Sequence, residues 1–307
     1  MKIAPKLLVI CILLLSSLCL YAQTDTTANI IRTLKDTTAD SLPPKKAYLK
    51  VGIRFLNDNV FVGRTDINPT PTLSEKIDYN FKFGLYLTGT LDAVTNRDKN
   101  KLDGGSVEIG YNYTEDDNLE WGISFTKLFF NSTSTRVSSS LSSELNAYMD
   151  YDIAEIITPA LSVSYNFGKN GNKGDILINP SLSHDFLIES VFGDNDKILI
   201  SPQVGLNIGS QNFYSEYLVK TDRALRRADA AYINALGDTK LLDYEITAPI
   251  VYIAGKFSFI FVPTYAFAKD SLPKSTQNEV KQSTAIETIQ PFKPSVFYFD
   301  AGISFKF

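Results

Sequence analysis

Cysteine is nearly missing from this chain of 307 residues: Cys11 and Cys19 are the only two, and both lie close to the N-terminus. The rest of the chain can hold no disulfide and no thiolate metal site. Histidine occurs once, as His184, so only one imidazole is available for acid–base chemistry. Basic residues do not exceed acidic ones: 30 Lys and Arg face 34 Asp and Glu, a net charge of −4. That balance gives no reason to expect nucleic acid as a partner. No phosphate-binding loop or dinucleotide fingerprint is present. Gly104-Gly105 and the glycines from Gly168 to Gly174 read as turn residues, so no cofactor is implied. Long apolar runs are also lacking, apart from one at the start.

That run, Leu7 to Leu20, follows Lys2 and Lys6 and is broken only by Ser16 and Ser17. Leu20-Tyr21-Ala22 then offers a small residue for cleavage before Gln23. The pattern is that of a secretory signal peptide over residues 1–22, too short for a membrane-spanning helix. Leu18 ahead of Cys19 is a poor fit to a lipoprotein cleavage site, which wants a small residue there. Residues 23–46, rich in Thr, Asp and Lys and closing on Pro43-Pro44-Lys45-Lys46, read as a flexible leader.

Aromatic residues are plentiful, with 20 Phe and 16 Tyr. Mean hydropathy is only −0.05. Strands apolar on one face average out in this way, so the value does not count against a membrane barrel. The aromatics suit the two interface girdles of such a barrel, and they also suit the core of a soluble β-sandwich.

Residues 297–307 alternate strictly. Phe297, Phe299, Ala301, Ile303, Phe305 and Phe307 share one face; Tyr298, Asp300, Gly302, Ser304 and Lys306 share the other. Period two means a strand with one apolar and one polar side. A terminal strand of alternating apolar residues ending in Phe resembles the C-terminal signal of Gram-negative outer-membrane β-barrels. The resemblance implies an outer-membrane location, membrane lipid and lipopolysaccharide as surroundings, and the barrel-assembly machinery as a partner engaging Phe305 and Phe307.

Similar strands recur over 47–307, the expected single barrel domain. Tyr48 to Phe55 is followed by a turn at Asn57-Asp58 and a short returning strand, Val60 to Arg64. Asp78 to Leu91 reads as one long strand. Then come Val107 to Thr114, Leu119 to Phe130, Asn146 to Ile157, Ala160 to Phe167, Ile176 to Glu189 and Ile198 to Gly209. Leu241 to Ile253, Lys256 to Ala268 and Ser295 to Phe307 complete the set. The count is twelve, or ten if 60–64 and 146–157 are not strands. Twelve is preferred: it puts the short turns 116–118, 158–159, 190–196 and 254–256 in the periplasm with both termini. The longer 92–103, 131–143, 210–240 and 269–294 then lie outside, and only 65–77 breaks the rule. The fold class expected is therefore an all-β, antiparallel transmembrane barrel.

The polar faces carry Lys50, Arg54, Lys82, Glu108, Glu120, Asp243, Glu245, Asp300 and Lys306, a mixed-sign set able to pair across a narrow lumen. One stretch, 214–236, has helical spacing (Leu218, Leu225, Tyr232) and ends at Gly237. Lys220, Arg223, Arg226 and Arg227 cluster on its remaining surface, either as a solvated rim or as a lid for an anionic ligand or lipopolysaccharide phosphates.

Ser181-Leu182-Ser183-His184-Asp185 contains the residue types of a hydrolytic triad. Known outer-membrane barrel enzymes use a His with Ser, Asp or Glu. Parity opposes that reading here. His184 falls on the apolar face with Ile178, Leu182 and Phe186, while Ser181, Ser183 and Asp185 fall on the other, and strand neighbours point to opposite sides. The acidic runs 115–118 and 194–196 read as solvated turns rather than calcium loops. Three functions remain open: a non-enzymatic barrel acting as a narrow channel or carrier for a small solute, or as a structural surface protein; a lipid- or peptide-modifying barrel enzyme around His184; and a soluble exported β-sandwich that binds sugar or protein.

Overall fold

Strands with one polar and one apolar face have unpaired edges until the first strand of a series meets the last. The computed structural model describes residues 46–66, 69–98, 101–114, 118–214, 236–269 and 295–307. Its strands are β1 (Tyr48–Leu56), β2 (Val60–Phe61), β3 (Arg64–Thr65), β4 (Thr72–Asn80), β5 (Leu85–Val94) and β6 (Leu102–Thr114). They continue as β7 (Leu119–Phe130), β8 (Leu141–Tyr151), β9 (Thr158–Gly168), β10 (Asp175–Ser183), β11 (Phe186–Glu189) and β12 (Asp196–Ile200). The series ends with β13 (Gln203–Gly209), β14 (Lys240–Thr247), β15 (Ile250–Ala254), β16 (Phe257–Ala268) and β17 (Val296–Lys306). Every wall strand pairs antiparallel with its neighbours in chain order, and β17 returns to β1, with Lys50 opposite Lys306 and Ile53 opposite Ile303. The result is a closed antiparallel barrel of 12 strands. Closure excludes the sandwich alternative, and the count excludes ten.

Three wall strands are each interrupted once. β10 runs on into β11, β12 into β13 and β14 into β15, and the breaks line up side by side. The amide of His184 donates to Pro202 O at 3.2 Å, that of Ser201 to Pro249 O at 2.9 Å and that of Ala248 to Pro263 O at 3.2 Å. Proline has no N–H to give to a ladder, so three prolines on adjacent strands crease the sheet along one line.

Two strand expectations need correction. Val60 to Arg64 is not a returning wall strand. It forms the tiny hairpin β2–β3, buried within the molecule, with Val62 (φ 51°) and Gly63 (φ 69°) at its tip. Two positive φ values make the tight turn that suits a two-residue hairpin loop. Asp78 to Leu91 is not one strand but the end of β4 and the start of β5, joined through Gly84 (φ 94°). Without this swap the connection 65–77 stands out as an exception. With it, the connection from β1 to β4 joins the long connections at one end of the barrel, while 81–84, Asn118, 152–157, 190–195 and 255–256 gather at the other end beside Tyr48 and Phe307.

Outside the barrel the surface is apolar: Ile53, Leu87, Ile109, Ile123, Leu145 and Val163 are among many exposed aliphatic side chains. Inside, Thr88, Ser106, Thr126, Asn146, Ser164 and Thr264 are buried and polar. The expected signal peptide (1–22), nearly all of the leader (23–46) and residues 215–235 of the expected helix lie outside the described residues. Of that helix region only the turn Asn212–Tyr214 is described as helical.

Candidate functional site

The polar lumen is the site, and the long connections fill one end of it. Residues 57–66 and 69–71 fold inward rather than away from the barrel. Asn59 Nδ2 donates to Thr70 O at 3.1 Å and to Thr72 Oγ1 at 3.0 Å. Arg64 Nε donates to Gln211 Oε1 at 3.1 Å and its Nη2 to Lys269 O at 3.1 Å. Beside it sits a buried 3₁₀ turn, Val137–Ser140. The Val137 amide donates to Asp66 Oδ1 at 2.7 Å, and the Thr70 hydroxyl donates to the same carboxylate's other oxygen. Burial pushes the Asp66 carboxyl up to about 7, although both of these donors and Arg136 pull it down.

An apolar wedge completes this plug. Phe61, Val62, Val137, Phe213, Leu236 and Leu242 are buried in one cluster, with the rings of Phe61 and Phe213 edge to face at 4.8 Å. Asp175 anchors the Asn212–Tyr214 turn, accepting from the amides of Asn212 at 2.7 Å and Phe213 at 2.9 Å. Arg136 is the centre of the ionic part. Its guanidinium pairs with Asp92 at 3.1 Å and with Asp103 at 2.9 Å, and Arg97 pairs with Asp103 as well.

Sequence reasoning missed this group. It treated 92–103 and 131–143 as outward loops, and nothing in their Ser- and Thr-rich composition tells an inward fold from an outward one. The one available signal was charge: Asp92 continues the inward parity of Tyr86 and Thr88, and Arg136 stands alone in a neutral stretch.

Lower in the lumen the basic residues share β1, β4 and β17 with Asp78 and Asp300, while β6, β7, β8 and β14 are mainly acidic. Lys50, Arg54, Lys76 and Lys306 lie on β1, β4 and β17, while Glu108, Glu120, Glu144 and Asp150 lie on β6, β7 and β8, with Asp243 and Glu245 on β14. Arg54 Nε donates to Asp300 Oδ1 at 2.9 Å, a two-point contact completed by Nη2 and Oδ2. Lys306 stands over the Tyr48 ring at 3.9 Å.

Glu108 and Glu120 are held by one arrangement used twice. Tyr86 lies across Gly110, its pair in the register, and donates its hydroxyl to Glu108 at 2.6 Å. Tyr148 lies across Gly122, likewise its pair, and donates to Glu120 at 3.0 Å. A Cβ on Gly110 would stand 2.3 Å from the Tyr86 hydroxyl, so only glycine leaves room for the ring. On the far side Tyr298 donates to Glu245 at 3.2 Å, and Asn207 donates to Asp243.

Lys82 does not belong to the lumen set. It sits exposed on the β4–β5 turn, because the chain reverses at Phe81–Gly84 rather than continuing as strand.

Below the plug, a pocket open on one side is bordered by β8, β9, β10, β13 and β14. Its polar lining includes Asn146, Tyr148, Asp150, Asn179, Gln203 and Glu245. No Lys, Arg or His is among its lining residues. Such a surface can hydrogen-bond a polar solute and attract a cation.

His184 lies at the proline crease. Its ring packs edge-on against Phe186 at 4.3 Å, and its buried Nδ1 has no hydrogen-bond partner among the described residues. Lys220, Arg223, Arg226 and Arg227 lie outside the described residues. Phe305 and Phe307 lie on the outward face of β17, Phe305 with its ring 4.8 Å from Phe257 and 4.8 Å from Phe307. Of the acidic turns, 115–117 lies outside the described residues. Asp196 closes its own turn by accepting from the amides of Val191 and Phe192 and from the Tyr252 hydroxyl. Among the described residues no cluster of His, Cys, Asp and Glu suits a metal ion.

No family model and no curated protein matches this chain. Solved structures similar to it include the KdgM porin in complex with disordered oligogalacturonate, at 8% identity and a TM-score of 0.43, over 85% of this chain and 99% of that one. The NanC porin is similar at 10% identity and a TM-score of 0.40, over 84% and 98%. LpxR from Salmonella typhimurium is similar at 11% identity and a TM-score of 0.39, over 83% and 99%. At such identities the likeness extends to the barrel fold alone.

Proposed function

We propose that this protein is an outer-membrane barrel that passes or carries a small polar solute through a lumen closed at one end by its own loops. The observation that carries the reading is the inversion of polarity: an apolar exterior around a buried, charged interior. In water the reverse arrangement would be favoured, because exposing a continuous apolar band costs free energy. In a bilayer the same band is at home, and aromatic side chains gather at both interfaces. Tyr165, Phe167 and Tyr265 mark the plugged end of the exposed face, and Phe83, Tyr113 and Trp121 the end beside the termini. Short turns belong to the periplasmic side of such barrels, so both termini are assigned there, and the plugged end faces outward towards lipopolysaccharide.

A barrel of this size fills readily with side chains, whereas wide aqueous pores come with roughly 16–18 strands. A narrow or gated path fits the plug better than an open pore. The enzyme alternative has little support, since His184 packs on Phe186 and no carboxylate meets its Nδ1 among the described residues. Purified protein reconstituted in a planar bilayer tests the reading. Small conductance steps that grow when the plug is destabilised support it. Recovery of the protein in the soluble periplasmic fraction would overturn it.

A further inference from the structure

The outward face of the described wall strands carries three acidic or basic side chains: Asp196, which closes its own turn at the end of β12, and Glu75 on β4 and Lys127 on β7, which are both exposed. Neither has a hydrogen bond or ion pair among the described residues. Their surroundings are apolar: Ile53 and Leu91 flank Glu75, and Val107 lies beside Lys127. A charge on the lipid face of a barrel is costly, by an amount that grows towards the middle of the bilayer. One such residue would be an oddity; a pair of opposite sign on one sector asks for a joint explanation.

The strand register gives their relative position. One row of outward residues runs Glu75, Leu91, Gly105 and Phe129; the next runs Ile77, Gly89, Val107 and Lys127. The two charges are therefore three strands and one row apart, roughly 15 Å along the surface from the usual strand spacing and rise. They also lie at similar heights. Rows climb towards the plugged end: the row that starts at Leu49, near the open rim, passes Tyr79, Leu87, Ile109, Phe125, Leu145 and Tyr165 and reaches Ile176 beside the plug. Three strands of climb raise Lys127 by roughly 9 Å, and one row back lowers it by about 5 Å, for ordinary barrel tilt. The remaining difference is within the reach of a Lys and a Glu side chain.

We propose that this sector is the interface of a homodimer in the membrane, with Glu75 of each copy paired to Lys127 of the other. A two-fold axis along the membrane normal, passing between β5 and β6, carries each charge to the position facing its opposite. An isologous interface requires this reciprocity: if one residue meets a second, the second meets the first. The patch between the charges includes Gly89 beside the exposed Val107. A Cβ added at Gly89 would meet nothing within 4 Å, so the two walls can approach closely there. Small residues of this kind bring membrane surfaces into close contact, and pairing removes both charges from lipid.

The inference rests on the membrane reading, and the experiment separates the two. With Cys11 and Cys19 both inside the expected signal peptide, a single new thiol in the barrel reports cleanly. Val107→Cys, next to the proposed axis, is oxidised in outer-membrane vesicles and run on a non-reducing gel. A disulfide-linked dimer is expected. Glu75→Gln or Lys127→Gln in that background should cut its yield at least fivefold while the heat-modifiable folded band persists. Single charge reversals should abolish the dimer, and the Glu75→Lys/Lys127→Glu double variant should restore it. An inserted barrel that stays monomeric, links only to other proteins, or dimerises regardless of these charges would overturn the proposal. A protein found in the soluble fraction would instead defeat the membrane reading.

Discussion

Arg136 Nη1 lies 3.1 Å from Asp92 Oδ2, across 44 positions of sequence, with both side chains buried. The contact ties the 3₁₀ turn of one long connection to the inner wall of β5. Asp103, buried on β6, holds the same guanidinium from another side. Taking one partner from a buried ion pair costs up to about 3–5 kcal/mol where the other is left unpaired; here Asp103 keeps Arg97 and Asp92 keeps the Ser74 hydroxyl, so the loss is smaller. Arg136→Ala is expected to unseat the plug without unfolding the barrel. In bilayer recordings the variant should open to larger conductance than the parent. Identical conductance would show that the plug is held by its apolar cluster alone.

The plug should also respond to pH. Asp66 is raised to about 7 by burial, above the ordinary carboxyl value. A raised carboxyl binds more protons in the docked state than in the undocked one. Its contribution is full below the ordinary value and is lost as pH rises through about 7. Hydrogen exchange at the Val137 amide, which donates to Asp66, should be slower at pH 5 than at pH 8 after correction for intrinsic rate. Asp66→Asn should remove that difference.

Gly110 permits Tyr86 to reach Glu108. Gly110→Val would place methyl groups where the ring now lies, and overpacking of this kind costs roughly 1–3 kcal/mol. The thermal midpoint of the folded band should fall. Tyr86→Ala in the same background should recover part of the loss, since it removes the clash. No recovery would mean that the strain lies elsewhere.

For His184 the expectation is little change. Its contact is with Phe186 and replacing its half-buried ring breaks no hydrogen bond, so His184→Gln should alter stability by less than about 1 kcal/mol. The lipid A and phospholipid profiles of cells should match the parent. A changed profile with normal folding would promote the enzyme reading.

At the closing seam, the Phe307 amide donates to Leu49 O at 2.8 Å and its ring packs on Phe305. Removing Phe307 should lower the amount of inserted barrel, and adding Phe305→Ala should lower it further. Unchanged assembly of the combined variant would count against a role for this strand in recognition by the assembly machinery.

Most of the wall was legible before any coordinates. Residues such as Ile109, Ile123 and Phe297 alternate with Glu108, Ser124 and Tyr298, and a period of two is imposed by strand geometry whatever surrounds it. The number of strands followed from the same pattern, yet one member was misplaced. Val60 to Arg64 has strand-like residues, while Thr72–Asn80 hides Glu75 on its apolar face and merges with the next strand through Phe81 and Phe83. Local pattern cannot show a reversal inside an apparently continuous alternation.

Only the tertiary structure decided what fills the barrel. Asp66 and Arg136 come from separate connections, Asp92 and Asp103 from β5 and β6, and their meeting depends on loops turning inward, a choice governed by contacts far apart in the chain. Closure by the terminal strand was expected from the barrel reading, but its register, with Lys50 opposite Lys306, is a property of the whole ring of strands. The sequence by itself determined which side of each strand is polar, since that depends on a residue and its two neighbours. Where those sides meet, and what they enclose, is settled by long-range geometry.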